Sequence, residues 1–326
     1  MKQHKLWSAL LASCGFLILI FDSKTALNGA LSGMDICMKT VIPSLFPFFV
    51  MSISLTNVLS GMHLRVLQPI GKLFYIPKGA EGILISAFLG GYPAGAQSIA
   101  FAYKNNTLSL SDARRMLTYC NNAGPAFLFG MVSPFLSGQN QIWLLWGIHI
   151  ASAFILAQLA GSTEKQTSFT TGQVHKTSDI MLASIKAMST VCGWVLIFRV
   201  ILAFLFRWFL WILPKELQVL IAGILELSNG CLLLSEIKDN SLRFIMASGL
   251  LSFGGLCVTM QTRSVTEDLF CKEYIMAKFL QATLSILFAI SAVYIKWTLP
   301  FLIAGICLFL HYMRRKNSSI SEPSVV

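Results

Sequence analysis

The 326-residue chain is 55% hydrophobic and only 12% charged, with a mean hydropathy of +0.69, whereas an ordinary soluble domain carries roughly 25% charged residues. A soluble protein of 36 kDa cannot hide that much apolar surface, so the composition excludes an ordinary soluble fold and points to a bilayer. The net charge of +11 suits anionic headgroups better than nucleic acid, because the basic residues sit in short clusters between apolar runs.

Lys2, His4 and Lys5 precede a first apolar run over 6–21, and Asp22-Ser23-Lys24 follows it with no small-x-small cleavage site. This reads as an uncleaved first helix with its N-terminus inside. Further runs cover 41–60, 82–103, 116–136, 142–159, 181–213, 219–235, 244–260, 274–294 and 297–312. A spanning helix needs about 20 apolar residues, which predicts an all-α, polytopic membrane protein. The run 181–213 is too long for one straight span and is expected to be tilted, broken or in two pieces. The polar stretch 162–179 divides a first transmembrane half (1–161) from a second (180–313). Residues 314–326 open on Arg314-Arg315-Lys316 and read as a cytoplasmic, disordered tail.

Eight cysteines form no CxxC pair and lie mostly in apolar runs, so they read as small packing residues and not as a metal site or disulfide framework. The five histidines are scattered. Walker A, HExxH, GxSxG and paired aspartates are all missing, so no catalytic role, cofactor or metal is expected.

Four interruptions of the apolar runs carry the functional expectations. In Gly90-Gly91-Tyr92-Pro93-Ala94-Gly95-Ala96-Gln97, one Pro and three Gly within six residues cannot continue a normal helix. The freed backbone groups must face protein, water or substrate. A helix starting after Pro93 would point its positive end at an anion. In Asn121-Asn122-Ala123-Gly124-Pro125, two carboxamides precede a helix-breaking proline, as ligand contacts or as helix glue. Glu226, in Glu226-Leu227-Ser228-Asn229-Gly230, is an intramembrane carboxylate that could carry a proton or pair with Arg199. The fourth interruption, Gly254-Gly255, is followed by Gln261. Arg199 lies deep in its run and could hold an anion, Arg207 snorkels, and Arg114-Arg115 mark an inside-facing entrance or lipid contacts.

The two halves look related. Gly90-Gly91 with Gln97 and Gly254-Gly255 with Gln261 share the spacing GG-x5-Q, and each half opens on Asp-Ile, at Asp35-Ile36 and Asp179-Ile180. Paired broken segments in matching positions are the sequence mark of an inverted-repeat transporter with its site between the repeats. The expected ligand-lining set is therefore Gly91, Tyr92, Pro93, Gly95, Gln97, Asn121, Asn122, Gly124, Pro125, Arg199, Glu226, Gly254, Gly255 and Gln261.

A family resemblance rests on several of these segments. Leu73-Phe74-Tyr75-Ile76-Pro77, Gly79-Ala80, Gly91-Tyr92-Pro93-Ala94-Gly95-Ala96 and Asn122-Ala123-Gly124-Pro125-Ala126-Phe127 carry it in the first half. Gly223-Ile224-Leu225-Glu226 and Phe253-Gly254-Gly255-Leu256 continue it in the second. Together they resemble the sporulation integral membrane proteins with nucleoside-recognition gate domains, a group that includes stage V proteins implicated in moving dipicolinate across the outer forespore membrane. The chain lacks the GTPase domain of the iron-transporting gate proteins and has a shorter central loop than the dipicolinate group. The resemblance implies a cell-membrane or forespore-membrane transporter of a small, anionic metabolite. Membrane lipids, the small-molecule substrate, and sporulation membrane proteins or a second copy would be its partners. A nucleoside transporter, a non-transporting scaffold and an enzyme on lipid-linked precursors stand as alternatives.

Overall fold

The computed structural model describes residues 2–59, 66–136, 138–161 and 176–295, together with Gly305. Most of the 162–179 loop, the 297–312 run and the 314–326 tail lie outside the described residues. Among the described residues the protein is all α, with no strand. Five stretches are long and apolar enough to cross a membrane: Ser23–Leu55, Asn140–Ala160, Thr177–Trp208, Asn240–Leu269 and Lys272–Tyr294. Large apolar side chains on them stand open at the surface, among them Ile197, Met276, Phe279 and Leu287, as lipid contact requires. The protein is a polytopic α-helical membrane protein.

Helix α1 (Lys2–Phe21) hands over at Asp22, whose carboxylate caps α2 (Ser23–Ile36) by accepting from the Thr25 amide at 3.3 Å. A π turn at Cys37–Val41 joins α2 to α3 (Ile42–Val58), just ahead of Pro43 and Pro47. Short α4 (Gln68–Leu73) leads to α5 (Gly82–Ile85), whose π-helical continuation ends at Gly90. Gly91, with φ of +77°, and the cis Tyr92-Pro93 bond break the chain before α6 (Ala94–Lys104). Helix α7 (Leu110–Leu117) is followed by an unwound stretch, and the helix restarts at α8 (Pro125–Phe127) with π and 3-10 turns up to Phe135. Helix α9 (Gln139–Ala160) completes the first half.

The second half opens on α10 (Thr177–Trp208), a single unbroken helix of 32 residues. At 1.5 Å per residue it is about 48 Å long, well beyond the roughly 30 Å hydrocarbon core. The run 181–213 divides only near its end: α10 passes through Gly193 and stops at Trp208, and Leu210–Ile212 form a separate 3-10 turn. Helices α11 (Lys215–Leu225) and α12 (Leu227–Leu233) are separated by one extended residue, Glu226. Helices α13 (Asn240–Phe253) and α14 (Gly255–Thr266) meet at Gly254 and Gly255, both with positive φ, and α15 (Lys272–Tyr294) follows. The runs 82–103 and 116–136 therefore yield half-length segments and not single long helices.

The span of α2 and α3 packs along α10. Gly29 and Gly33, four residues apart, let the backbones approach: a Cβ at Gly29 would lie 2.8 Å from Val200 Cα, and one at Gly33 3.2 Å from Leu196 Cα. With Asp22 at 2.8 Å from Arg207 and Cys37 beside Cys192, numbers rise along one helix as they fall along the other. The two spans are antiparallel. Asn240–Leu269 is the most enclosed span, with 72% of its most apolar window buried against at most 50% in the others. It places the Gly254 break at the centre of the molecule.

Candidate functional site

The broken segments converge because glycine lets their backbones touch. A Cβ on Gly91 would lie 2.9 Å from the Gly124 nitrogen, and one on Gly124 2.7 Å from Gly91 nitrogen. A Cβ on Gly95 would meet the Cys120 carbonyl oxygen at 2.0 Å. In the second half a Cβ on Gly230 would come within 2.2 Å of Gly223 Cα, and one on Gly255 within 2.9 Å of Gly223 oxygen. The two half-sites meet through Tyr92. Its hydroxyl reaches the Leu251 and Ser252 carbonyls at 3.2 and 3.4 Å, the free carbonyls at the end of α13, and its ring lies against Gly254.

A central cavity of about 50 Å³ opens where these segments meet, enough for a few waters. Thr40, Ser44, Tyr92, Glu226, Ser228 and Gln261 supply its polar wall, and Gly90, Gly91, Ala123 and Gly124 bring backbone to it. Glu226 is 3% exposed and caps α12, accepting from the Ser228 and Asn229 amides at 2.9 and 2.7 Å. Arg199 stands behind it, with Nε 3.7 Å from the Glu226 carboxylate and Nη1 donating to Asn229 Oδ1 at 2.8 Å. Its Nε and Nη2 make no hydrogen bond although the residue is buried. The carboxylate thus offsets the charge of Arg199 while leaving two of its donor nitrogens unused.

Of the fourteen residues expected to line the site, Gly91, Tyr92, Gly124, Glu226 and Gln261 do face this cavity. Pro93 and Pro125 start α6 and α8, and Gly95, Gly254 and Gly255 hold backbone contacts behind the wall. Gln97 faces a second cavity, of about 140 Å³, where its Nε2 donates to the Ala183 carbonyl at 3.2 Å and its Oε1 has no partner. The two glutamines of the GG-x5-Q pattern therefore serve different cavities. Asn121 and Asn122 are fully buried and turned into the protein. Asn121 Nδ2 donates to Thr262 Oγ1 and to the Tyr274 hydroxyl, both at 2.9 Å, while Asn122 donates to the Tyr119 carbonyl and accepts from Gln281 Nε2 at 2.9 Å. Arg115 pairs with Asp112 at 2.7 Å, and Arg114 donates to the Asp268 carbonyl.

Two buried groups next to this network escape a reading of the sequence. Lys278, 1% exposed, donates to the Asn121 carbonyl, to Gln281 Oε1 at 2.8 Å and to the Tyr92 hydroxyl at 3.4 Å. His149 Nε2 accepts from the Ala123 amide at 3.0 Å, which leaves its proton on Nδ1, facing Ser252 Oγ at 2.9 Å. Ser252 continues to Ser285 and then Ser152. The available signal was a lone base inside an apolar run with Tyr274 and Gln281 at helical spacing from it, so that all three share one face.

No family model matches the chain, and no solved structure matches it. The chain is similar to the sporulation integral membrane protein YlbJ of Bacillus subtilis (strain 168), 25% identical over 364 residues that take in 92% of this chain and 87% of that protein. The five long apolar helices agree with that relative's description as an integral membrane protein.

Proposed function

We propose that the protein carries a small, anionic metabolite, dipicolinate or a compound like it, across a membrane during spore formation. The observation that carries this reading is the alignment of the two cavities along the same four elements. On the α2–α3 span, Ser44 and Leu45 line the central cavity and Ile53 the second; on α10, Val195 and Val191 line the first and Ala187 and Ala183 the second. On α14, Val258 and Gln261 give way to Ser264 and Val265, and on the Gly90–α6 segment Tyr92 gives way to Gln97 and Lys104. Between them Phe49, Ala94 and Met188 belong to one buried apolar cluster. Lys104 and Glu267, paired at 3.1 Å and half exposed, mark the second cavity as the wet end. Two cavities in line, separated by side-chain packing alone, suit alternating access in a closed state.

The central site suits an anion because Arg199, behind the Glu226 carboxylate of the cavity wall, keeps two donors without a partner among the described residues, in a fork that matches a carboxylate. The antiparallel course of the Ser23–Leu55 span and α10 favours an inverted repeat of gate-like halves, which would put the starts of the two spans, Ser23 and Thr177, on opposite sides of the membrane. A forespore membrane is the location this function implies. The reading is tested by uptake into proteoliposomes of purified protein, with dipicolinate and nucleosides compared side by side. Faster nucleoside uptake would move the assignment to a nucleoside transporter. One observation favours a second reading, a membrane scaffold: the Asn121 and Asn122 carboxamides both turn into the protein and donate to its own groups. A scaffold would transport neither compound and would tolerate changes at Gln261.

A further inference from the structure

Two buried ion pairs lie among the described residues, and one further buried carboxylate is held by a backbone amide. Asp112 faces Arg115 at 2.7 Å, Glu226 faces Arg199 at 3.7 Å, and Glu81 accepts from the Gly79 amide at 2.8 Å. Among the described residues Lys278 has no carboxylate within ion-pair distance. Its three N–H donors meet three neutral oxygens: the Asn121 carbonyl, which the break before Pro125 leaves free of a helix, Gln281 Oε1 and the Tyr92 hydroxyl. The rings of Tyr92 and Tyr274 lie at 5.1 and 5.9 Å from Nζ. Such a shell solvates an ammonium without cancelling its charge, so its field extends beyond the shell. Tyr92 is both part of that shell and part of the wall of the central cavity. The charge therefore stands about one aromatic ring behind the cavity surface.

We infer that Lys278 is the fixed cation that gives the central cavity its selectivity for anions, acting through space across Tyr92 and not by touching the ligand. The inference rests on the transport reading above. It divides the work between two cations: Arg199, whose charge Glu226 offsets, supplies directional donors, and Lys278 supplies net positive potential. It also gives Asn121 and Gln281 a function despite their distance from the cavity, as the neutral oxygens that hold the ammonium in place. At a separation on the order of 8 Å and an effective dielectric of about 20 to 40, one unit charge changes the affinity of a singly charged ligand by roughly 6-fold to 30-fold. A dianion gains more, and a neutral isostere gains nothing.

The test is equilibrium binding of two probes, pyridine-2,6-dicarboxylate and its neutral diamide, to the full-length protein in lipid nanodiscs. Wild type is expected to prefer the dicarboxylate. Gln281→Glu sets a carboxylate against Lys278 while keeping the ammonium, and should reduce that preference about tenfold or more through the dicarboxylate affinity alone. Lys278→Met should do the same, and Lys278→Arg should restore most of the preference. A structural role for Lys278 would instead lower the melting temperature and shift both probes together. If Lys278→Met does not fold, Gln281→Glu and Lys278→Arg still decide the question, since they retain a cation in place. An unchanged preference in Gln281→Glu and in whichever other neutralising variant folds overturns this inference alone. Binding of neither probe by wild type overturns the transport reading, and this inference with it.

Discussion

Replacing Glu226 with alanine should destabilise the protein more than replacing Arg199, although the two form one ion pair. Glu226 holds two backbone amides of α12 at 2.9 and 2.7 Å and faces a buried guanidinium. Losing the cap costs about 1 kcal/mol, and stranding a buried charge costs about 3–5 kcal/mol, so Glu226→Ala should cost about 4–6 kcal/mol. Arg199→Ala leaves a carboxylate that keeps both amide hydrogen bonds at a helix N-terminus, so its cost should be smaller, about 2–3 kcal/mol. The double variant strands no charge. It should be no worse than Glu226→Ala alone, which corresponds to a coupling of about 2 kcal/mol or more. Denaturant unfolding of the four proteins in one detergent, followed by tryptophan fluorescence, measures the cycle. Additive costs within about 0.5 kcal/mol would refute the pairing.

Gly95→Ala should abolish accumulation of folded protein, because its Cβ would sit 2.0 Å from the Cys120 carbonyl oxygen, whereas Gly147→Ala, with nothing within 4 Å, should be neutral or stabilising by up to about 1 kcal/mol; abundance in membranes and thermal unfolding check both. Phe49→Val thins the plug between the cavities and should raise passive efflux of dipicolinate from loaded proteoliposomes; an unchanged leak would show that the cavities are not two ends of one route. Asn121→Ala should lower abundance as well as transport, since it leaves the buried Tyr274 and Thr262 hydroxyls short of a partner at about 1–3 kcal/mol each; normal abundance with no transport would favour a ligand contact. Cysteines placed at the span starts, Ser23 and Thr177, should label from opposite sides of the membrane if the halves are inverted, and labelling from one side would contradict the repeat.

The breaks in the helices were legible because backbone chemistry dictates them. Gly91, Pro125, Glu226 and Gly254 each stand at an interruption in the structure, and each could be named from residue type alone. What the sequence did not yield is the direction in which polar side chains turn. Asn121 and Asn122 sit beside a break that reaches the cavity, yet both carboxamides turn into the protein toward α14, α15 and the Tyr119 carbonyl, because buried amides take the nearest partners. Lys278 was hidden for the converse reason. A single base lowers the hydropathy of a long apolar run only slightly, and two of its three partners, Tyr92 and Asn121, come from the other half of the chain. The long run 181–213 shows a third limit: apolar length signals a helix but not whether it bends, and α10 continues unbroken through Gly193.

The central claim, carriage of a small anion through the site between Tyr92, Glu226 and Gln261, is tested most directly by dipicolinate counterflow. Proteoliposomes preloaded with unlabelled dipicolinate should accumulate labelled dipicolinate transiently, and external dipicolinate should compete while nucleosides do not. Arg199→Lys should weaken the apparent affinity while leaving the protein folded, because an ammonium cannot reproduce the guanidinium fork. Counterflow equal to that of protein-free vesicles, or full transport by the Arg199→Ala, Glu226→Ala double variant, would contradict the account.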